Sequence, residues 1–311
     1  MANNRATLQH RIEYLGWMLV SGALKLIPRR VMIIAADGIG WVLYHVLKIR
    51  RDTIDEQLQI AFGADRTPEQ LRQMGCESWQ NCVLTFFEFL QPNPIGSAGW
   101  DEFRSEEGFE EYCRPLLDAG QTAIVITGHM GNWEALGQLG TRENVQLAAV
   151  AKAMHNPLVN NAILKSRADR GLEVLQIKTN MKSIVDGIKQ GKWVAIVGDQ
   201  DARRRGLFVD FFGVPSSTAP GAAHFAYTMN KPLLPAFCVR VRDKQRHLKI
   251  VCAPLIYPNP EADKDEELLR LTQEHTRALE WVIRRFPSDY FWLHRRWKTR
   301  PKKKKPVAAD E

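Results

Sequence analysis

The residues whose types and spacing best support chemistry lie in the string Thr127-Gly-His-Met-Gly-Asn-Trp-Glu134. His129 and Glu134 are five positions apart, which on one regular helix would turn them about 140° away from each other. The glycines point to another geometry. Gly128 and Gly131 permit a sharp turn after a strand, and Asn132 is a good helix N-cap. His129 is then on a loop and Glu134 in the first helical turn, where the loop can fold the imidazole back for Glu134 to orient it. Such a pair suits acylation of a hydroxyl. An alcohol is a poor nucleophile at neutral pH; His129 can take its proton as attack begins. Glu134 can hold the imidazole tautomer and stabilise the imidazolium. Backbone N–H groups at the helix start can stabilise the oxyanion, and no covalent enzyme intermediate is required. The alternative reading of His129 is a structural histidine in a tight turn.

Other chemistries lack their signatures. No G-x-S-x-G nucleophile elbow occurs, no G-x4-G-K-[ST] phosphate loop, and no H-E-x-x-H or clustered zinc ligands, so neither metal nor cofactor is expected. The cysteines Cys76, Cys82, Cys113, Cys238 and Cys252 are odd in number without C-x-x-C spacing. That argues against a disulfide framework and fits a reducing compartment.

The elements that must position the dyad read as an α/β sheet with helices on both faces. Residues 52–90 look helical, and Pro92 and Pro94 break the chain. Ala123–Thr127 is a short strand entering the His129 turn. Val145–Val150, Val174–Ile177 and Trp193–Val197 are further strands, separated by a helix opened by Asn156-Pro157 and closed at Gly171 and by another near 180–190. Pro220–Asn230 is helical, Leu233–Val241 and His247–Val251 form a strand pair, and 265–285 is an amphipathic helix. Asp199 ends a strand, where ligands gather in α/β sheets; a cap or turn residue is the alternative. Arg203, Arg204 and Arg205 suit phosphates of a headgroup or a phosphopantetheine arm, or form an exposed basic loop. Phe208, Phe211 and Phe212 line an acyl groove or simply pack in the core. Arg295, Arg296 and Lys298 beside Trp292 and Trp297 suit a membrane interface or ordinary surface packing.

The N-terminal third carries two apolar stretches, Tyr14–Leu24 and Val31–Leu47, neither of which reaches the length of an uncharged spanning helix. Trp17, Trp41 and Tyr44 with flanking Arg and Lys suit a lipid–water interface; two buried core helices are the alternative. A net charge of +8, much of it in Lys302–Lys305, favours anionic partners. No nucleic-acid-binding motif accompanies it.

These blocks together resemble the bacterial lipid A biosynthesis acyltransferase family, the late lauroyl/myristoyl acyltransferases. The His129–Glu134 string resembles that family's H-x-G-N-W-E signature, part of an H-x4-D/E dyad. Asn156-Pro157 with Arg167 and Gly171 resembles N-P…R-x3-G. Asp199-Gln200 and Gly206–Gly213 resemble D-Q…G-x-F-V-x-F-F-G, and Pro287–Lys298 resembles the closing P…W-x-H-R-R-W-K element. The resemblance runs over residues 12–300. It implies a glycerol-3-phosphate-acyltransferase-like α/β fold in an acyltransferase domain (51–300) behind an N-terminal membrane-associated helical segment (1–50); the basic composition of residues 301–311 reads as a disordered tail. It implies catalytic roles for His129 and Glu134 and substrate-binding roles for Asn132, Arg167, Asp199 and Gln200. Lys152 falls where many members carry Arg and is placed with the substrate contacts, as is Arg203. The implied donor is an acyl carrier protein thioester, or sometimes acyl-CoA. The implied acceptor is a lipid A precursor hydroxyl at the cytoplasmic face of the cell inner membrane. A lysophospholipid or phosphatidylinositol mannoside acceptor, or a non-catalytic lipid-binding membrane protein, are the alternative readings.

Overall fold

The computed structural model describes residues 7–91, 106–142, 145–176, 181–244 and 246–301. The Pro92/Pro94 break and the basic tail from Lys302 onward lie outside them.

The chain opens with helices: α1 (Leu8–Leu26), α2 (Arg29–Trp41) running into a π-helical turn (Val42–Val46), α3 (Arg51–Phe62) and α4 (Pro68–Leu90). Thr67 starts α4 with a capping box to Gln70 and Pro68 at the first turn, the arrangement that satisfies the otherwise orphaned N–H groups there. The expected helical stretch 52–90 is thus two helices. Then follow β1 (Glu106–Glu107), α5 (Arg114–Asp118), β2 (Ile124–Thr127), α6 (Trp133–Arg142), β3 (Leu147–Ala151), α7 (Pro157–Ala168), β4 (Glu173–Gln176), α8 (Met181–Lys189) and β5 (Trp193–Val197). A β6 (Leu207–Phe211)–β7 (Val214–Thr218) hairpin, α9 (Gly221–Met229), β8 (Leu233–Arg240), β9 (Leu248–Cys252) and α10 (Lys264–Arg285) complete the fold.

The strands form a seven-stranded sheet in the order β1-β9-β8-β2-β5-β3-β4, with β6–β7 apart as a two-stranded ribbon. All neighbours in the main sheet are parallel except β8–β9. The central strand β2 shows why both faces are covered. Ala123 and Val125 join Leu116, Ala135 and Leu136 on one side. Ile124 and Ile126 join Ile184, Ala223 and Leu271 on the other. Successive strand residues point to opposite faces, so a strand apolar at every position must be sandwiched. This is the mixed α/β sheet expected.

A third core, between α3, α4, α10 and the β6–β7 ribbon, gathers Phe211, Phe212, Tyr290, Trp292 and Trp297. It corrects two expectations and agrees with the core reading of Phe211 and Phe212. Trp292, Trp297 and Arg296 are buried, not at a membrane interface; Arg296 donates to the Ser217 carbonyl (2.8 Å) and to Thr218 Oγ1 (2.5 Å). Phe211 and Phe212 are core residues. Tyr44 is buried and donates its hydroxyl to Asp55 (2.6 Å). Phe86, which the apolar run of α4 predicts to be a core residue, is exposed instead.

Among the described residues no single helix is long and apolar enough to cross a membrane; one pair, Arg29–Val46 with Arg51–Phe62, passes on length and composition but bends by 93°. What α1 and α2 present is an exposed apolar surface. Leu8, Ile12, Leu15 and Leu19 recur at helical spacing on α1, with Leu19 74% exposed, and Ile34 on α2 is 70% exposed. This apolar stripe on an outer helix face is left uncovered by the described residues.

Candidate active site

β2 and β5 are adjacent and parallel, with Thr127 opposite Val197. Each is followed by a glycine, and the Gly198 N–H donates to the Thr127 carbonyl (2.9 Å). The residues that follow, His129 and Asp199, are therefore brought level at the carboxyl edge of the sheet. Asp199 takes hold of His129 twice. One carboxylate oxygen lies 2.7 Å from Nδ1 and the other accepts the His129 backbone N–H at 2.8 Å. With Nδ1 facing a carboxylate, the ring carries its Nδ1 proton there and leaves Nε2 as the outward-facing base.

Burial works against an imidazolium at His129. The Asp199 charge, its hydrogen bond and the charge of Glu134 outweigh that, and the pKa stands above the ordinary histidine value. Burial alone would raise the Asp199 carboxyl; the His129 contacts and the buried Arg296 cation reverse this and hold it below its usual value. The Asp199 side chain is 3% exposed and that of His129 23%, so the pair is shielded on the aspartate side and open on the imidazole side. Trp133 and Phe291 flank the ring, at centroid distances of 4.9 and 6.1 Å.

The turn after His129 is fixed by backbone contacts. Phe291 N–H donates to the His129 carbonyl (3.0 Å), Gly131 N–H to the Asp289 carbonyl (2.8 Å) and Asn132 N–H to the Cys238 carbonyl (3.0 Å). Gly131 has φ +53°, and a β-carbon there would sit 2.1 Å from the Cys238 carbonyl oxygen. Only glycine meets both conditions.

Glu134 occupies the first turn of α6, as expected, but its partner is Arg167. Arg167 Nε (3.0 Å) and Nη2 (2.5 Å) grip the two Glu134 oxygens. The orienting contact expected between Glu134 and the imidazole is made by Asp199 instead, because the strand register delivers residue 199 beside residue 129 whereas Glu134 faces α7. Glu134 still acts on His129 through its charge.

The remaining expected contacts divide. Asn132 is buried, and both side-chain functions are used inside the protein: Oδ1 accepts the Ala135 N–H (3.0 Å) as a helix cap, and Nδ2 donates to Glu88 (2.7 Å). It shapes the turn. The Asp199 carboxylate is likewise engaged within the protein, by His129. Arg167 is committed to Glu134, while also lining a small recess with Phe89, Ile163, Leu164 and Lys152. Lys152 is exposed just past the end of β3. Gln200 and Arg203 are exposed beyond β5; Arg203 lies in a short 3₁₀ turn (Arg203–Arg205) at φ +58°. Its backbone N–H is held by Asp201, which also receives the Thr299 N–H and hydroxyl.

The sequence places Asp199 in the site as a substrate contact and not as the partner of His129; the signal for the pairing is that Thr-Gly-His and Val-Gly-Asp follow two strands in the same way. Glu88 was passed over in an apolar helix, where a lone carboxylate among Phe86, Phe87 and Phe89 itself implies a buried partner.

Among known proteins, the family profile described as bacterial lipid A biosynthesis acyltransferase matches residues 1–299. The chain is 24% identical over 306 residues to a lipid A biosynthesis lauroyltransferase of Escherichia coli (strain K12), covering 94% of each. It is 24% identical over 286 residues to a lipid A biosynthesis palmitoleoyltransferase of the same strain, covering 88% of this chain and 87% of that one. It is also 26% identical over 132 residues to a phosphatidylinositol mannoside acyltransferase of Mycobacterium tuberculosis (strain CDC 1551 / Oshkosh). That match spans only 41% of this chain and 42% of the mycobacterial relative.

Proposed function

The chain belongs to the bacterial lipid A biosynthesis acyltransferase family, and from that premise we propose that it transfers a fatty acyl group from an acyl carrier protein thioester to a hydroxyl of a lipid A precursor, with His129 as general base. The observation that carries this reading is the His129–Asp199 contact, which engages Nδ1 at the carboxyl edge of the sheet and leaves Nε2 as the ring nitrogen available to act as base, on a side chain that is 23% exposed.

The reaction follows from that geometry. Nε2 accepts the acceptor hydroxyl's proton while the oxygen attacks the thioester carbonyl. Asp199 and, at longer range, Glu134 stabilise the imidazolium. N–H groups at the start of α6 favour the tetrahedral oxyanion. Collapse breaks the C–S bond, and the leaving thiolate takes the proton back from His129. Glu134, fixed by Arg167, contributes charge; Lys152, Gln200 and Arg203 at the exposed rim suit phosphate groups of the donor arm or the acceptor. The exposed apolar stripe of α1 and α2 suits an interfacial seat on the cytoplasmic face of the inner membrane.

The mycobacterial similarity favours a second acceptor class, a phosphatidylinositol mannoside. Both are tested by supplying the purified chain in detergent micelles with acyl carrier protein loaded with C12, C14 or C16 chains, and with acyl-CoA. A tetraacylated lipid A precursor, a phosphatidylinositol mannoside and a lysophospholipid compete as acceptors. Product on the lipid A precursor is the expected result; product on another acceptor alone would keep the chemistry and reject the lipid A assignment.

A further inference from the structure

Glu88 is the one charged residue in the stretch Cys82–Leu90 of α4, and its side chain is wholly buried. Its carboxylate receives Arg29 Nη1 (2.9 Å) and Arg240 Nη1 (2.9 Å) on one oxygen, and Arg240 Nη2 (2.6 Å) and Asn132 Nδ2 (2.7 Å) on the other. Burial alone would favour the neutral acid; the two guanidinium groups reverse this and hold Glu88 ionised, with its pKa below the usual value. One turn earlier Thr85 donates its hydroxyl to the Gly131 carbonyl (2.7 Å) and accepts Arg240 Nη2 (2.6 Å). Two of the three residues between His129 and α6, Gly131 and Asn132, are thus held from α4.

The donors come from separate parts of the fold. Arg240 ends β8, Asn132 belongs to the catalytic turn, and Arg29 is the first residue of α2. A cation at the positive end of a helix dipole disfavours that helix, so the position of Arg29 is explained by Glu88 and not by α2's own stability. Arg29 Nη2 also donates to the Arg246 carbonyl (2.9 Å), which fixes the guanidinium between α4 and the β8–β9 turn. A connected path runs from α2 through Arg29, Glu88 and Asn132 to the N-terminal turn of α6 that carries Glu134. The outer face of the same α2 presents Val31 and Ile34 to solvent.

We propose that Glu88 is a positioning residue for acyl transfer, and that through Arg29 the seating of α2 against α4 sets the geometry of the catalytic turn. The inference rests on the reading of His129 as the acyl-transfer base. Asn132 has two jobs, the α6 cap and the Glu88 contact, and a buried carboxylate with fixed donors specifies the amide orientation that does both. Removing one member of a buried charge cluster leaves the others uncompensated, and the neighbouring backbone shifts to relieve it.

The test uses the full chain in detergent micelles, with steady-state transfer and thermal unfolding measured on the same preparations. Arg29→Met keeps the bulk of the side chain and removes the charge. It lowers kcat about tenfold while the KM values for donor and acceptor stay within about twofold, because turn geometry and not substrate binding is disturbed. Arg29→Lys restores most of the rate. Asn132→Ser retains a capping oxygen but loses the amide donor to Glu88; it lowers kcat similarly with little change in Tm. The double variant Arg29→Met/Asn132→Ser is no slower than the slower single, since both act through one carboxylate. Wild-type kcat in a folded Arg29→Met protein, or losses that multiply in the double variant, would overturn the proposal. If Arg29→Met does not fold, Asn132→Ser decides alone: an unchanged kcat overturns it. A wild-type protein that transfers no acyl group would instead reject the functional reading on which it rests.

Discussion

His129 and Asp199 stand level at the ends of two neighbouring parallel strands, with 2.7 Å between Nδ1 and the carboxylate. The pairing is a consequence of sheet register: Thr127 opposite Val197 places the two following positions side by side. The imidazole is thus positioned from the ends of two central strands, and one carboxylate holds both the ring and its backbone.

Asp199→Asn tests that pairing. The amide keeps the shape and removes the charge that raises the His129 pKa. On the proposed mechanism neutral His129 is the base, so transfer by the wild type is expected to fall as pH drops through a pKa above the ordinary histidine value. In Asp199→Asn the inflection moves to lower pH, and kcat falls by about 10²–10⁴ because the favoured tautomer and the imidazolium lose their support. A pH–rate profile of kcat over pH 5–9 reads both effects; an inflection that stays in place would separate Asp199 from the base.

Glu134 and Arg167 act as a unit. Both side chains are mostly buried, at 16% and 18% exposure, where losing one partner leaves an uncompensated charge. Glu134→Gln and Arg167→Met each lower kcat by about tenfold or more, and the double variant is less impaired than the product of the singles. Glu134 influences His129 only through its charge, so Glu134→Gln displaces the pH inflection less than Asp199→Asn does. Equal displacement would mean that Glu134 orients the ring directly.

Gly131→Ala places a β-carbon against the Cys238 carbonyl at a positive φ. Strain of about 1–3 kcal/mol is expected in unfolding measurements, with transfer reduced much further because the turn carries His129. Gly16→Ala on α1, where a β-carbon meets nothing within 4 Å, serves as the comparison and is neutral or stabilising by up to about 1 kcal/mol. Equal behaviour of the two variants would contradict the role given to the turn.

Leu15→Glu and Ile34→Glu test the apolar stripe. Both residues are largely exposed, at 58% and 70%, so the substitutions leave the fold and its Tm intact. Each weakens co-sedimentation with anionic phospholipid vesicles by about tenfold or more, since an apolar contact is replaced by a charge that anionic headgroups repel. Unchanged sedimentation would remove α1 and α2 from the membrane contact.

Much of this site is legible in the sequence, and the rest depends on facts that only the assembled sheet supplies. The turn at His129 could be read from Gly128, Gly131 and Asn132, because positive φ and capping are local properties. The partner of His129 could not, because 70 residues separate it from Asp199 and the contact exists only once β2 and β5 lie side by side. Spacing along the chain pointed to Glu134, which the fold turns toward α7. Aromatic residues misled in the same way: Tyr44, Trp292 and Trp297 have the chemistry of an interface, yet tertiary packing places them in the core. The apolar stretches Tyr14–Leu24 and Val31–Leu47 mark where α1 and α2 form, but only the assembled fold separates the exposed Leu15, Leu19 and Ile34 from the buried Leu24, Met32 and Ala36.

The most direct measurement is the rate of acyl transfer from acyl carrier protein to the lipid A precursor, in detergent micelles, by wild type and by His129→Ala prepared in parallel and shown to share one Tm. His129 as general base predicts wild-type product rising with pH and no product above background from His129→Ala at any pH. Substantial transfer by the folded His129→Ala protein would contradict it and place the base elsewhere.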